Sequence, residues 1–472
     1  MSQLSNIEAW AKQSAEPLAV SIKDVDLVLL QPLRHLSGKR LTCKATWQGQ
    51  TVIAKLFYGP GYNNYALKEK LNLEALSKAG VNAAKLLHAT EQGDMALVLI
   101  AFIDKAVSLA DWIKTAPEAA EFKTIMSAMT RLILACHEAG FILKDPHLDN
   151  FLLHDDQLTL IDAGDITFNK TAVSAGDSVQ NMALFYAQLP ITWDELAYQA
   201  LNEVTAEVNG WSMTENQWIN LLINKRRWRQ KKFIDKKVFR NCTPYICQQT
   251  ASRFLVAKRS FYTEEIEQAL KKPDQLIEAG QLLKDGRTAT VARVEIQGKP
   301  YVLKRYNIKN PTYALLRGLM QSRAAVSWKN GLVLEMLGIP TALSYALIEE
   351  RWGLIRRRSY VLTEYLDAPR AWDIFENECY DDEAKQNWAN KIQALFELLK
   401  RSQISHGDLK AQNILCADKG PLLIDLDGMR TYQELSNFRR QFYKDIRRFQ
   451  RSWGHKTVVE FMLKEFCEIK NK

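Results

Sequence analysis

The most constraining feature of the 472-residue sequence is an internal repeat. The stretches "ILKDPHLDNFLLHDDQLTLIDAG", at 142–164, and "SHGDLKAQNILCADKGPLLIDLDG", at 405–428, follow one plan. Each has an aspartate, an asparagine five residues later, an apolar run, and another aspartate twelve residues after the asparagine. Equivalent residues lie 263 positions apart in all three cases. A chain with such a repeat is expected to fold as tandem copies of one domain.

Earlier landmarks extend the repeat toward the start of each copy. The stretches "WQGQTVIAK" and "IQGKPYVLK" end in Lys55 and Lys304, which lie 249 positions apart. The glycines that follow the next helical pattern, Gly80 and Gly338, lie 258 positions apart. Because the landmarks keep their order while the offset grows slowly, we predict one domain at 20–240 and another at 275–472. The segment 241–274 is predicted to be a linker with connecting helices.

Local patterns predict both strands and helices in each copy. The β-branched runs "TVIAKLF" and "YVLKRY" follow a Gln-Gly pair, which predicts a hairpin. Residues 65–79 carry Leu67, Leu71 and Leu76 between charges, which predicts an amphipathic helix that ends near Gly80. "LVLIAFI" and "SYVLTEYL" are typical of buried strands, and residues 126–140 and 388–403 are typical of core helices.

The second copy of the repeated loop resembles a known fold. "HGDLKAQNIL" followed by "LIDLDG" is similar to the catalytic and metal-binding loops of protein kinase-like proteins. The resemblance implies an α+β fold with two tandem kinase-like domains, each with a small β-rich N-lobe and a larger helical C-lobe. Residues 322–366, within a resemblance that covers most of 281–453, resemble the bacterial lipopolysaccharide core kinase family, which phosphorylates Kdo or heptose of the inner core. The first half resembles this family more weakly.

The resemblance assigns roles to residues of the second copy. Asp408 is expected to orient or deprotonate the attacking hydroxyl, and Lys410 to neutralise charge on the transferred phosphoryl group. Asn413 and Asp425 are expected to hold Mg²⁺ on the nucleotide phosphates, and Lys304 to contact the α- and β-phosphates. The expected cofactors are therefore ATP and Mg²⁺.

The first copy retains part of the same set. Asp145 stands at the position of the catalytic aspartate, and Asn150 and Asp162 stand at the positions of the metal ligands. Glu69 follows Lys55 by fourteen residues, which suits the helix glutamate that pairs with the strand lysine of kinases. His147, however, replaces the lysine of the second copy.

Both copies depart from the kinase pattern. Neither has the GxGxxG loop, and the second offers Gly286 alone as a nucleotide-loop glycine. Ser327 stands where the helix glutamate is expected in the second copy, so the partner of Lys304 stays open, with Glu335 as a weaker candidate. Each copy is thus incomplete in a different place.

These observations predict an ATP- and Mg²⁺-dependent phosphotransferase, with its second domain active on a sugar hydroxyl of the lipopolysaccharide inner core. Two alternatives stay open. One is a kinase of this fold that acts on protein or a small metabolite, and the other is a pseudokinase pair with a regulatory or binding role.

Composition limits the location and the partners of the chain. Seven scattered cysteines without a CxxC pair, and no apolar leader or run of about 20 residues, predict a cytoplasmic protein, with peripheral attachment to the inner membrane as an alternative. The net charge is +9, and the segment 225–240, "KRRWRQKKFIDKKVFR", holds nine Lys or Arg and one acid. This segment is either a solvated helix face or a contact for an anionic glycolipid or the inner-leaflet surface. No nucleic-acid partner is expected, because no nucleic-acid fold signature accompanies the charge.

Overall fold

The chain forms two compact units in the computed structural model, which describes residues 3–13, 16–169, 171–206, 208, 211, 213–307 and 320–453. The first unit comprises 1–188 and 193–222, and the second comprises 189–192 and 223–472. Each unit has a curled antiparallel sheet followed by helices and short hairpins. The predicted α+β fold with two tandem kinase-like domains is therefore confirmed, whereas the exact domain limits at 20–240 and 275–472 stay a prediction.

The first unit is built around a six-stranded sheet in the order β1-β2-β3-β4-β6-β5. Its strands are β1 Leu18–Ile22, β2 Val25–Leu36, β3 Arg40–Trp47, β4 Gln50–Tyr58, β5 Leu86–Gln92, β6 Met95–Ala101, β7 Val107–Ser108, β8 Phe141–Leu143, β9 Phe151–His154, β10 Gln157–Leu160 and β11 Ile166–Phe168. Its helices are α1 Gln3–Gln13, α2 Tyr62–Lys78, α3 Leu109–Lys114, α4 Ala119–Glu138, α5 Ala175–Tyr186 and α6 Asp194–Thr205, with a 3₁₀ turn at Leu148–Asn150.

The second unit has a seven-stranded sheet in the order β12-β13-β17-β18-β16-β15-β14. Its strands are β12 Tyr245–Gln249, β13 Arg253–Lys258, β14 Gln281–Asp285, β15 Ala289–Ile296, β16 Lys299–Tyr306, β17 Ser344–Trp352, β18 Ile355–Glu364, β19 Ile404–Ser405, β20 Ile414–Ala417, β21 Gly420–Leu423 and β22 Arg430–Thr431. The helices that follow α6 in the chain are α7 Glu215–Arg229, α8 Asp235–Lys237, α9 Glu264–Leu270, α10 Pro273–Ala279, α11 Arg323–Leu337, α12 Ala371–Glu376, α13 Asp382–Arg401 and α14 Leu435–Arg451. A π-helical turn, Gln230–Ile234, and two 3₁₀ turns, Ala411–Asn413 and Leu426–Gly428, complete the unit.

The Gln-Gly pairs form the predicted hairpins in both units. Gln48 and Gly49 have φ values of 49° and 75°, and Gln297 and Gly298 have values of 54° and 69°. Positive φ at both central residues is the geometry of a two-residue type I′ turn, whose twist matches that of the flanking strands. This turn sets the register in which the strand lysines lie.

Helix α2 differs from the predicted apolar stripe. It ends before Gly80, as expected, but Leu67 and Leu71 are exposed while Leu76 is buried. The buried face includes two polar residues, Glu69 and Asn72. Polar residues on a buried helix face require hydrogen-bond partners, and these two residues have theirs in the candidate site described below.

The segment predicted as a linker contributes to the second sheet. β12 and β13 lie within 241–274 and form a hairpin that pairs with β17 at the edge of the sheet. The reason is in the strand pattern of "YICQQ" and "RFLVAK", since apolar residues of β13 such as Leu255 and Val256 are fully buried there. Helices α9 and α10 lie in or next to this segment.

Candidate active site

The repeated loop of the second unit brings three predicted residues together. Asn413, in a 3₁₀ turn, donates from Nδ2 to the backbone oxygen of Asp408 at 2.8 Å and to its Oδ2 at 3.2 Å. Lys410 Nζ lies 2.9 Å from the same Oδ2. The Asp408 carboxylate is therefore held by an amide and an ammonium while remaining partly exposed. A carboxylate held in this way can accept a hydrogen bond from an incoming hydroxyl.

Two buried side chains, those of Asp445 and His406, anchor the loop. Asp445, buried on α14, accepts the backbone N–H of Gly407 with both carboxylate oxygens, at 3.0 and 3.1 Å. Gly407 has φ 81°, and a Cβ there would lie 2.3 Å from the oxygen of Gly428, so only glycine fits. His406 is fully buried, and its Nε2 lies 3.0 Å from the oxygen of Ile424. His406 therefore has a structural role in the loop.

Asp425 pairs with the strand lysine of the second unit. Lys304 Nζ donates to Asp425 Oδ1, which identifies the partner that the sequence left open. Burial works to raise the pKa of Asp425, but Lys304 outweighs it and lowers the pKa to about 2. The aspartate is therefore ionised at neutral pH, as a metal-binding carboxylate must be. Glu335, the weaker candidate, pairs instead with Lys258 at 2.5 Å.

A second charged pair lies beside the first. Arg323, at the start of α11, pairs with Asp427, and its guanidinium carbon lies 4.9 Å from the ring centroid of Tyr306. Lys304 Nζ lies 4.8 Å from the same ring centroid. Tyr306 therefore lies beside the lysine, while Ser327 stands at the helix position where a kinase glutamate is expected.

The donor set fits Mg²⁺, although only part of it comes from the protein. Asn413 uses its amide nitrogen on Asp408, so its side-chain oxygen is available as a ligand. Its backbone oxygen accepts the N–H of Ile424 at 3.0 Å, which places the residue before Asp425 against the asparagine. Amide and carboxylate oxygens suit Mg²⁺, which normally takes one or two protein ligands and completes its shell with phosphate and water. Among the described residues, no group of three or more His, Cys, Asp or Glu side chains could hold a metal ion by itself.

The first unit has the kinase lysine–glutamate pair. Lys55 Nζ lies 2.5 Å from Glu69 Oε1 and 3.7 Å from Asp162 Oδ1, and it donates to the oxygen of Ile161 at 3.1 Å. Burial raises the pKa of Glu69, which is 0% exposed. Burial also works to raise the pKa of Asp162, but Lys55 and Arg40 outweigh it and lower the pKa. The ammonium is thus shared between the helix and the loop.

The first repeated loop is less well equipped for catalysis. Asn150 Nδ2 lies 3.4 Å from the backbone oxygen of Asp145, and the buried Oδ1 of Asp145 has no hydrogen-bond partner among the described residues. His147 Nδ1 lies 3.1 Å from Asp149, whereas its counterpart Lys410 reaches Asp408. Among the described residues, no ion pair joins a cation to Asp145 as Lys410 is joined to Asp408.

An asparagine on the equivalent helix ties the loop in both units. Asn72 Nδ2 donates to the oxygens of Ala163 and Ile166, at 2.7 and 3.3 Å. Asn330 Nδ2 donates to the oxygens of Leu426 and Met429, at 2.8 and 3.0 Å. These partners are equivalent in the repeat, so the two units share this device. The signal in the sequence was an asparagine at the same position of both helical patterns.

Gly286 lies in the turn between β14 and β15, where a kinase nucleotide loop is expected. Its backbone N–H donates to Ala289, and its oxygen accepts from Asn307 Nδ2, both at 3.0 Å. The turn is therefore fixed from the end of β16, the strand that carries Lys304. Its role toward a nucleotide stays a prediction.

The basic segment 225–240 is divided between core and surface. Arg226 and Arg229 are buried, and Arg226 donates to the oxygen of Leu189 at 3.0 Å. Arg227 bonds to Gln403 and to the backbone of Tyr432. The three arginines therefore belong to the packing of the second unit, which leaves fewer charges for an outside partner. Lys231, Lys236 and Arg240 are exposed.

Comparison with known proteins identifies one matching family. The model of the lipopolysaccharide kinase (Kdo/WaaP) family matches residues 44–204 and 268–468, one stretch in each repeat. Among solved structures, the chain is similar to WaaP in complex with acyl carrier protein, at 18% sequence identity over 43% of this chain and 86% of that chain, with a TM-score of 0.33. No curated protein matches the chain.

Proposed function

The chain belongs to the lipopolysaccharide kinase (Kdo/WaaP) family and is therefore an ATP-dependent kinase, and we propose that it phosphorylates a sugar hydroxyl of the lipopolysaccharide inner core. The second unit is the proposed active domain. The observation that carries this assignment is the group of Asp408, Lys410 and Asn413 on one loop, with Asp425 and Lys304 paired beside it.

Each side chain has a role that its contacts support. Asp408 would accept the hydrogen bond of the sugar hydroxyl and aim its oxygen at the γ-phosphorus, because the carboxylate is partly exposed and fixed by Asn413. Lys410 would then lie next to the equatorial phosphoryl oxygens, where its charge stabilises the transition state. Asn413 and Asp425 would hold Mg²⁺, which neutralises phosphate charge when it is bound.

Lys304 would change partners when nucleotide binds. It is paired with Asp425 in the described structure, and burial works to lower its pKa while Tyr306 and the two nearby aspartates outweigh this and raise it. The lysine is therefore charged and suited to the α- and β-phosphates. Asp425, once released by the lysine, would be free to hold Mg²⁺, whose chemistry when bound is to neutralise phosphate charge.

The first unit is proposed to bind nucleotide without contributing most of the turnover. Its Lys55–Glu69 pair and Asp162 form the clamp expected for the phosphates. Its loop, in contrast, has no cation at the Asp145 carboxylate. This arrangement supports the pseudokinase alternative for one half of the chain only.

The proposed acceptor is an anionic glycolipid, so the enzyme would work at a membrane surface. The exposed Lys231, Lys236 and Arg240 of the basic segment are the groups available there for lipid phosphates. No helix in the described ranges is long and apolar enough to cross a bilayer.

The test is a transfer assay with labelled ATP and three acceptors: core oligosaccharide released from lipopolysaccharide, a generic protein, and a mixture of small alcohols. Mass spectrometry of the product identifies the phosphorylated sugar. We expect Mg²⁺-dependent transfer to the oligosaccharide alone, with none in Asp408→Asn. Transfer to protein or metabolite alone would refute the acceptor, and tight nucleotide binding without any transfer would refute the enzyme assignment.

A further inference from the structure

The turn between β17 and β18 presents two large apolar side chains to solvent. Trp352 is 78% exposed and Leu354 is 80% exposed, the highest values among the large apolar side chains of the described residues. A tryptophan and a leucine exposed at one hairpin tip place apolar surface in water, and exposed apolar surface of this kind can mark a contact surface. Nothing in the candidate active site uses this turn.

The tip is held rigidly by its neighbours. Trp352 pairs with Ile355 across a two-residue turn, in which Gly353 has φ 61°. The backbone N–H groups of Arg351 and Gly353 donate to Ser252 and Ala251, at 2.7 and 2.9 Å, in the loop between β12 and β13. A hairpin fixed from its side loses little conformational entropy when a partner binds its tip.

Basic residues follow the tip immediately. The sequence after Leu354 is "IRRRS", and two of its arginines have internal partners: Arg356 donates to the oxygen of Met320 at 3.0 Å, and Arg358 pairs with Asp274 at 2.7 Å. Arg357 is exposed and forms no ion pair with any described residue. Met320, which is 62% exposed, adds apolar surface beside Arg356. The result is an apolar tip with an available cation at its base.

The equivalent hairpin of the first unit lacks both features. The turn between β5 and β6 has Gln92, Gly93 and Asp94, and Gly93 corresponds to Gly353, which lies 260 positions later in the sequence. The tyrosine hydroxyl of Tyr62 donates to the oxygen of Gly93 at 2.8 Å, so this turn is engaged internally. The same fold therefore makes the hairpin with polar side chains, and the apolar tip is a separate property of the second unit.

We propose that the β17–β18 tip inserts into the interface of an anionic lipid membrane. Tryptophan favours the headgroup level and leucine the acyl boundary, and Arg357 would lie at the depth of the lipid phosphates. An interfacial aromatic, an aliphatic and a basic residue at one exposed tip is the chemistry of a peripheral membrane anchor, and a protein partner is excluded by the vesicle test. This inference rests on the proposed function, because the proposed acceptor is part of a lipid and a kinase that acts on it must work at the membrane surface.

The test is sedimentation of the full chain with vesicles of phosphatidylcholine, with and without phosphatidylglycerol. The variant Trp352→Gln/Leu354→Asp introduces the side chains of the first unit around an unchanged Gly353. We expect it to bind the anionic vesicles about tenfold more weakly than the original chain, a difference of ~1.4 kcal/mol. Arg357→Glu should weaken binding to anionic vesicles alone. Leu33→Gln, which removes another side chain that is 54% exposed, should bind as the original chain does.

Three results would overturn the proposal: no binding of the original chain to anionic vesicles, binding by the double variant equal to that of the original chain, or loss of binding only in Lys231→Glu/Lys236→Glu. Circular dichroism melting checks that each variant is folded, and Arg357→Glu keeps the test valid if the double variant is not. Transfer to released core oligosaccharide is measured in parallel. The double variant should retain it, while absence of transfer in the original chain would refute the proposed function and leave the vesicle result standing.

Discussion

In the first unit the strand lysine Lys55 is held by a helix carboxylate, Glu69, whereas in the second unit the equivalent helix position is Ser327. The second unit has its additional carboxylate on the loop instead, as Asp427. The position equivalent to Asp427 in the first loop is Gly164. The two units therefore carry the second acid on different elements, the helix in the first unit and the loop in the second.

Geometry explains why neither unit has both acids. A Cβ added to Gly164 would lie 2.8 Å from Glu69 Oε2, closer than side-chain carbons come to such an oxygen. An aspartate on the loop would therefore require the Glu69 side chain to move, and two carboxylates brought into contact in a buried site also repel. In the second unit, where the helix has Ser327, Tyr306 lies beside Lys304 and Arg323 pairs with Asp427. The comparison shows that a helix without the expected glutamate need not mean that the site is lost, because the carboxylate can lie on another element instead.

The largest expected difference between the units comes from the two aspartates that are proposed to hold the metal. Asp425→Ala should reduce turnover by at least about 10³-fold, because the phosphates lose the carboxylate that positions their metal. Asp162→Ala should leave turnover of the second unit nearly unchanged and should weaken nucleotide binding to the first. The measurement is product formation on native core acceptor, together with nucleotide titration of each variant.

Thermal melting is the control that checks whether both variants are folded. It is needed because Asp425 and Asp162 each pair with a lysine that is little exposed. Complete inactivity of a folded Asp162→Ala would reverse the assignment of the active half. Loss of one of two products in each variant would mean that both units are enzymes.

The next effect concerns the catalytic loop. Asp408→Asn should lower kcat by about 10²–10⁴-fold with little change in ATP affinity, because an acceptor-orienting carboxylate acts mainly in the transition state. Asp145→Asn in the first unit is the matched control and should have little effect, since no cation supports that carboxylate. Steady-state kinetics with nucleotide titration decide the matter. Equal losses of kcat and affinity would make Asp408 structural.

Local chemistry made much of this arrangement predictable from sequence. The Gln-Gly hairpins, the strand lysines and the repeated Asp-Asn-Asp spacing depend on neighbours in the chain, and the structure has Lys55 and Glu69 in contact as expected. Long-range partners were not predictable. The bond from Gly407 to Asp445 joins residues 38 positions apart, and although Asp445 is the only acid of α14, nothing in the local pattern indicates its partner.

Two expectations differ from what the structure shows, for two different reasons. The leucines of α2 were expected inward because a hydrophobic stripe usually marks the core, but Leu67 and Leu71 are exposed while Glu69 is buried for its contact with Lys55. The linker was expected at 241–274 because the repeat has no landmark there. Its strands β12 and β13 extend the second sheet at an edge where the first sheet has no counterpart.

A smaller effect on ATP affinity is expected from the carboxylate that lies on the helix in the first unit and on the loop in the second. Ser327→Glu should weaken ATP binding by about tenfold, since the new acid meets Asp427 and displaces Tyr306 from Lys304. Ser327→Glu/Asp427→Gly recreates the residues of the first unit and should recover most of the affinity. The coupling between the two changes should lie within about 0.5–3 kcal/mol, as for residues in contact. Nucleotide titration of the two single variants and the double variant gives this value, and strict additivity would contradict the exchange.

The smallest expected effect is a pH dependence of stability at His406, where the first unit has Leu143. Burial lowers the pKa of His406, although Asp445, Asp425 and Asp408 act in the opposite direction. A group whose pKa is lower in the folded state binds more protons when unfolded. Its effect on stability is therefore absent well above its unfolded pKa of about 6.5 and becomes destabilising as the pH falls below that value.

His406→Leu should therefore flatten the fall in melting temperature between about pH 7 and pH 5, the range just below the unfolded pKa of histidine. At pH 7 the variant should be slightly less stable, by roughly 1 kcal/mol, because the oxygen of Ile424 loses the contact with His406 Nε2. His154→Gln, which changes a half-exposed histidine of the first unit, is the matched control and should leave the pH profile as it is. If His406→Leu had the same pH profile as the original chain, the acid sensitivity would come from the aspartates around the loop and not from the histidine that distinguishes the second unit from the first.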